Sequence, residues 1–317
     1  MPTKKSLVLL LTVLFTCLVA APSSALVCGD TIYSHTVLTH DLIDCPSPGL
    51  VIGEDHLTLD LNGHTISGKG SGTGIVVETG RHDIRIVGPG TVSGFHLGIR
   101  AIDSERVDVE GVTLDRHSGS AIAYTDTGES TLRGNTLTAN QSAISFQNLH
   151  SPRQFNRILD NRIDGGGVAG GSGISLELDT DVEIRSNFIV DTGWAITLTG
   201  ASRVMIEGNV LIDNHAAVVL ISHSFGPMAD NAVVENKIYD NVFGVYVGSG
   251  AAASHPVQQT TVKRNVFQGG SQGIVLDDAL VVGSGLFQNQ LWGLIKPIVD
   301  DGTGTVTAGN VCDGLPC

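Results

Sequence analysis

The sequence predicts an all-β chain wound as a right-handed, single-stranded parallel β-helix, a solenoid of about eleven coils. Three observations carry this prediction. The 317 residues include 40 glycines and few aromatics, a composition of short strands and tight turns. Beyond residue 25 no stretch shows helical periodicity. Finally, a phrase of Asn or Gly, one residue, then an aliphatic or aromatic residue keeps returning. It falls at Asn62, Gly88, Gly111, Asn135, Asn161, Asn187, Asn209, Asn236, Asn265, Asn289 and Asn310, at spacings of 21 to 29 residues. A period of that size marks stacked coils.

A second phrase follows each turn: Gly or Ala, then Ile or Val with apolar alternation, as in Gly98-Ile99, Ala121-Ile122, Gly173-Ile174, Ala195-Ile196 and Gly244-Val245. Two or three strands per coil are implied. Every strand would hydrogen-bond to its counterparts above and below while Ile, Val and Leu point alternately into a narrow core. Asn suits the recurring turn because its amide both donates and accepts along a stack and tolerates left-handed backbone. At the usual strand spacing the coils make a rod on the order of 50 Å long.

The amino-terminal residues read as a leader. Lys4 and Lys5 precede an apolar run from Leu7 to Ala21, closed by Ser23-Ser24-Ala25, which is the layout of a cleavable secretory signal spanning residues 1–25. A secreted or periplasmic location is expected, with no transmembrane segment in the mature chain. Cleavage discards Cys17 and leaves Cys28, Cys45, Cys312 and Cys317, two close pairs near the two ends. Two short disulfides, Cys28 with Cys45 and Cys312 with Cys317, are the economical reading. A zinc site built from all four would need the ends of an elongated rod to meet. The leader also takes two lysines, leaving 16 cations against 32 carboxylates, a net charge of −16. That balance argues against nucleic acid as a partner. One domain, residues 26–317, and a monomer are expected.

Cys28-Gly29-Asp30-Thr31-Ile32, Asp41-Leu42-Ile43-Asp44-Cys45 and Leu59-Asp60-Leu61-Asn62-Gly63-His64-Thr65-Ile66 resemble the opening of bacterial secreted right-handed parallel β-helix repeat proteins, related to the periplasmic NosD-type and carbohydrate-binding β-helix families. The resemblance spans the mature chain. It implies an N-terminal cap at residues 26–49 with a C-terminal end at 300–317, and a group that includes polysaccharide lyases, epimerases, hydrolases and non-enzymatic members. The Asp-Pro-His-Asp signature of the alginate epimerases is absent, which speaks against an epimerase.

Function is expected on the outer faces of the coils. Longer insertions run from Gln147 to Asn156, Ser222 to Asn231 and Gly248 to Thr260, and carry His150, His223 and His255. Loops of this kind would wall a groove. The two compact coils between the first two insertions would form its floor. There Glu177, Asp179 and Asp181 alternate, and extended backbone would set all three on one face. Close carboxylates suggest a Ca²⁺ site or a raised-pKa general acid. Glu177, Asp179, His150 and His223 are therefore the candidate catalytic residues, with Arg153, Arg157, Asp181 and Thr199 to hold substrate. Arg153 and Arg157 would neutralise the carboxylates or bind a uronate. A solvated acidic edge is the competing reading.

His96, His117 and His215 are read as equivalent turn positions, with Asp115, Arg116 and Arg100 nearby. A base and its orienting carboxylate are conceivable there, but Gln141 and Gly193 fill the same slot in other coils, so a polar turn residue suffices. His56 and His64 are read as structural. Two functions remain: a polysaccharide-binding and polysaccharide-cleaving protein of lyase or glycosidase type, acting on a polysaccharide or cell-envelope glycan, and a non-catalytic surface-interaction module favoured by the scarcity of cations. A NosD-like maturation role is disfavoured by only three methionines.

Overall fold

The computed structural model describes residues 25–149, 155–167, 170–222, 224, 228–250 and 255–317. The expected leader lies outside the described residues, apart from its last position. The fold is the expected parallel β-helix. Three strands per coil build three long parallel sheets of 12, 12 and 13 strands. The first runs from Thr31–Ile32 to Lys296–Asp300, the second from Thr36–Val37 to Val306–Ala308, and the third from Leu42–Cys45 to Leu315–Pro316. Parallel strands joined through their neighbours in this way wind right-handed. Among the described residues the one antiparallel pairing between named strands is Val311–Cys312 with Leu315–Pro316, which folds back at the carboxyl end.

Period-two alternation explains why each strand buries its own core residue. In the first sheet Ile122, Ile144, Ile174, Ile196, Val218 and Val245 stack in register, each directly over the next. The second sheet stacks Leu132, Ile158, Ile184, Ile206 and Val233, and the third Leu137, Ile163, Ile189, Leu211 and Ile238. All of these side chains are buried. The small residue before each first-sheet Ile is a packing requirement where it is Gly, because a Cβ on Gly98 would stand 2.3 Å from the carbonyl oxygen of Ala121.

The turn between second and third sheets holds the asparagine ladder. Nδ2 of Asn135 donates to Oδ1 of Asn161, and the same bond repeats through Asn187, Asn209, Asn236, Asn265 and Asn289 to Asn310, at 3.0 to 3.1 Å. Each Oδ1 also accepts a backbone N–H from the coil before it. The ladder starts later than the phrase suggested. Val112 occupies the equivalent position one coil earlier and donates its N–H to Asn135. Asn62 is an exposed turn residue with φ 47°, reaching only the carbonyl of Leu38. A shorter second ladder between the third and first sheets joins Thr192, Asn214 and Asn241.

Residues 26–49 form a coil with one strand in each sheet, tied by Cys28–Cys45, which is consistent with an N-terminal cap. Cys312–Cys317 ties the opposite end. The longer coils add a fourth, three-stranded sheet at the corner between first and second sheets, made of Met228–Ala229, Val257–Gln258 and Val281–Val282.

Asn209→Ala, in mid-ladder, should destabilise the protein by about 2–4 kcal/mol, since it removes the acceptor of the Asn187 N–H and amide on the coil before and the donor to the Ile184 carbonyl and to Asn236. Asn62→Gly, at an exposed left-handed turn, should change stability by less than ~0.5 kcal/mol. Urea unfolding of the two variants compares them directly.

Candidate functional site

The expected carboxylate triad does not share a face. The first-sheet strand Ser172–Glu177 ends at Glu177, and Leu178 turns left-handed with φ 58°. That one residue breaks the alternation. Glu177 points outward and accepts from Nε2 of Gln147 at 2.7 Å. Asp179 is wholly enclosed in the corner, its Oδ1 accepting from the N–H of Thr180 at 2.9 Å. Burial pushes its carboxyl up to about 7, against the hydrogen bonds from Thr180, Asn156 and Asn148. Asp181 emerges on the far side of the corner, where both of its oxygens hold the Arg203 guanidinium at 2.7 Å and keep its carboxyl below the ordinary value. Divided in this way, the three give calcium no common ligand set, and Asp179 has no surface from which to meet a substrate.

Arg157 opens a second-sheet strand, its Nε 3.6 Å from Glu183. With Phe155, Asp181, Glu183, Arg185 and Arg203 it lines a shallow cleft of about 250 Å³. Its guanidiniums are matched by acids: Arg185 lies 3.1 Å from Glu207, and Arg203 is taken by Asp181. Thr199 stands on the outer face of the first sheet, in register with Glu177. His150, Arg153 and His223 lie outside the described residues.

The turn histidines are not equivalent. His117 fills the buried slot that Asn140 and Asn214 fill elsewhere. It is 2 % exposed, accepts the N–H of Phe95 at 3.3 Å and donates to the carbonyl of Val92 at 3.1 Å. Its burial disfavours the charged form. His96 sits one position further along, against Ser118 at 3.1 Å. No histidine pair is formed there, and His117 is a core residue.

The outer face of the first sheet carries aromatic residues that the repeat analysis passed over. Register aligns Ser172, Trp194, Ala216 and Phe243 in one column at the entry of the first-sheet strands, where Trp194 is exposed, Ser172 and Phe243 are half-buried and Ala216 is buried. Val219 and Tyr246 are paired beside it. Trp194 is 48 % exposed. The His215 ring meets Phe243 edge-on at 5.5 Å, and Phe243 lies 6.4 Å from Tyr246. The Tyr246 hydroxyl donates to Asp277, and its partial burial together with that carboxylate pushes the phenol up to about 12. Gln147, Glu177 and Thr199 border this strip. The sequence marks these positions only as an aromatic residue directly before an Ala-Ile or Gly-Val phrase; strict alternation would set Trp194 on the side of Ile196, and the exposure of Trp194 at the strand entry is a departure from it that the structure shows.

Near the amino-terminal end a second grouping stands at the start of the second sheet. Asp55 and His56 lie on one coil and His82 and Asp83 on the next. Nδ1 of His56 is 3.1 Å and Nδ1 of His82 2.9 Å from Oδ2 of Asp83, while Nε2 of His82 is 3.1 Å from Oδ2 of Asp55.

The comparisons follow the fold. The profile of the NosD family, described as periplasmic copper-binding protein, matches residues 56–254, more than half of the 317. The chain belongs to the NosD family. No curated protein matches it. Among solved structures it is similar to the A-module of a mannuronan C-5 epimerase from Azotobacter vinelandii, at 14% identity over 89% of this chain and 90% of that one, with a TM-score of 0.61. A hyperthermoactive exopolygalacturonase from Thermotoga maritima matches at 11% identity over 90% and 85%, TM-score 0.60. The catalytic unit of a GH87 α-1,3-glucanase from Streptomyces thermodiastaticus matches at 14% identity over 88% of this chain and 62% of that one, TM-score 0.59. At such identities the likeness establishes the fold. The family's periplasmic description and the two disulfides fit an extracytoplasmic protein. Among the described residues no helix is long and apolar enough to cross a membrane.

Asp179 makes stability depend on pH. Its folded value, about 7, stands above the ordinary 3.8, so the native chain holds an extra proton between those limits. The contribution is complete below about pH 4 and is lost as pH rises through 7. Asp179→Asn should flatten that slope and raise stability at pH 8 by on the order of 3 kcal/mol. A urea midpoint with the same pH profile in both proteins would contradict this.

Proposed function

We propose that this protein binds a polysaccharide laid across the outer face of its first sheet, and that recognition rather than bond cleavage is its primary activity. The observation that carries the reading is the half-exposed Trp194, with Phe243 and Tyr246 together on the rung two coils further on. Aromatic faces take the apolar faces of sugar rings, while Gln147, Glu177 and Thr199 alongside offer partners to hydroxyls. Adjacent rungs lie about 4.8 Å apart, so each coil can meet a successive part of an extended polymer. The charges bordering this face, Glu177 and Asp277, are acidic, which favours a neutral glycan over a uronate. The likeness to carbohydrate-acting β-helices supports a glycan partner. Of the described candidate catalytic residues, Glu177 alone stands on the face, and the enclosure of Asp179 withdraws the second carboxyl a lyase or glycosidase mechanism would draw on.

The family description raises copper. The chain has three methionines and its described cysteines are joined in disulfides, so soft donors for copper(I) are scarce. Among the described residues one grouping of imidazole and carboxylate donors, His56, His82 and Asp83, suits copper(II) or zinc.

The reading is tested by affinity electrophoresis against neutral glucans and xylans beside alginate and polygalacturonate, with release of reducing ends and absorbance at about 235 nm followed in the same samples. Trp194→Ala should weaken retention on a neutral glycan at least tenfold, in line with loss of an exposed aromatic anchor. Retention confined to uronate polymers and lost with Arg157→Ala would move the site to the second-sheet cleft. Product formation abolished by Glu177→Gln would establish cleavage.

A further inference from the structure

We infer that His56, His82 and Asp83 form a binding site for one divalent transition-metal ion with a preference for nitrogen and oxygen donors, zinc or copper(II), held on the corner of the solenoid far from the aromatic strip in sequence. This inference is independent of the glycan reading.

Register brings the three residues together. Thr58 pairs with Arg85 in the second sheet, so residues 55 and 56 lie over residues 82 and 83. Asp-His on one coil therefore faces His-Asp on the next, and each histidine meets the aspartate of the other coil. His56 and Asp83 both adopt left-handed backbone, with φ 55° and 57°, at the same corner position. The two imidazoles stand edge to face with centroids 4.8 Å apart. The candidate ligand atoms of all three residues lie within 4.8 Å of one another.

The spacing fits a tetrahedral ion. Ligands at about 2.0 Å from zinc stand ~3.3 Å from each other. Oδ2 of Asp83 lies 3.1 Å from Nδ1 of His56 and 2.9 Å from Nδ1 of His82, within a few tenths of that edge. Three protein ligands leave a fourth position for water or a further group.

The surroundings are built as a metal-supporting shell. A ligating imidazole commonly gives its other N–H to a carboxylate, which fixes ring and tautomer. Nε2 of His82 is 3.1 Å from Oδ2 of Asp55. Asp55 is itself held, its Oδ1 accepting the backbone N–H of His82 at 3.1 Å with Arg81 at 3.8 Å. Arg106 grips Asp83 mainly through Oδ1, by Nε at 2.5 Å, and touches Oδ2 by Nη2 at 3.2 Å. Oδ2 is thereby directed at the imidazoles as a monodentate ligand. His56 is 69 % exposed at its side chain, so an ion has an open approach. The absence of any thiol or thioether in the set selects against copper(I).

The test is calorimetric titration of the purified protein with zinc chloride and with copper(II) chloride, beside the electron paramagnetic resonance spectrum of the copper(II) form. One equivalent should bind, and the spectrum should show two coordinated nitrogens. His56→Ala and His82→Ala should each weaken binding at least tenfold and reduce the coupled nitrogens to one. Asp55→Asn, which touches no ion, should weaken it about tenfold through the loss of its hold on His82. His64→Ala, whose ring is engaged with Asp41 on another side of the coil, should leave affinity unchanged. His56 is a surface side chain, and its removal leaves the core untouched, so a loss of binding in His56→Ala reports the site and not the fold. Absence of binding by the unaltered protein, or full affinity in both histidine variants, would overturn the inference.

Discussion

The buried asparagine ladder is the constraint on which the rest of the solenoid depends. A parallel β-helix must turn three times per coil, and each turn leaves backbone groups with no strand partner. From Asn135 to Asn310 one amide per coil closes that deficit, accepting a backbone N–H from the coil before and giving its own N–H to the next amide and to a main-chain carbonyl of the coil before, as Asn209 does to Ile184. Such a bond is formed only when successive coils stack in one register. The ladder thus stabilises the turn and fixes the alignment of all three sheets together. The ladder begins at Asn135, which accepts the Val112 N–H of the coil before, and the first coil is tied by the Cys28–Cys45 disulfide.

Fixed register also orders the side chains along the corner between first and second sheets. The same left-handed position recurs on successive coils as His56, Asp83, Arg106, Glu129, Phe155, Asp181 and Arg203. Side chains there are aimed outward and stacked within reach of one another, so their identities write a linear pattern of contacts. Asp83 meets Arg106, Arg106 meets Glu129, and Asp181 meets Arg203. These exposed pairs contribute little to stability individually. What they do is fix orientation: in the amino-terminal coils they direct one oxygen of Asp83 at two imidazoles, and further along they neutralise the guanidiniums of the second-sheet cleft. That neutralisation is why the arginines gathered on this side do not amount to a strong anion-binding surface.

The repeat, the inward residues and both cysteine pairs were legible without coordinates, because each is a local property: period-two alternation, a coil-length phrase, and pairs close in sequence. The asparagines were legible as a ladder, though not its starting point, since Asn62 and Asn135 share a phrase while only Asn135 enters the stack. The exposure of Trp194 was not legible in this way, because period-two alternation sets it on the side of Ile196 two residues on, whereas the structure leaves it 48 % exposed at the strand entry.

Which outward groups meet belongs to the tertiary structure. Leu178 looks like the continuation of a strand, yet its N–H bonds to the carbonyl of Thr199 on the next coil from a left-handed backbone, and this sends Asp179 inward and Asp181 to the opposite side of the corner. A single position separates His96 from His117, and the bonds of the His117 ring to the Phe95 N–H and the Val92 carbonyl one coil before hold His117 as the buried one. In both cases the deciding interaction joins residues a full coil apart. The sequence by itself therefore determined the solenoid, its period and its core. The faces on which polar side chains gather were decided by contacts between coils, because one change of backbone hand at a corner redirects every side chain after it.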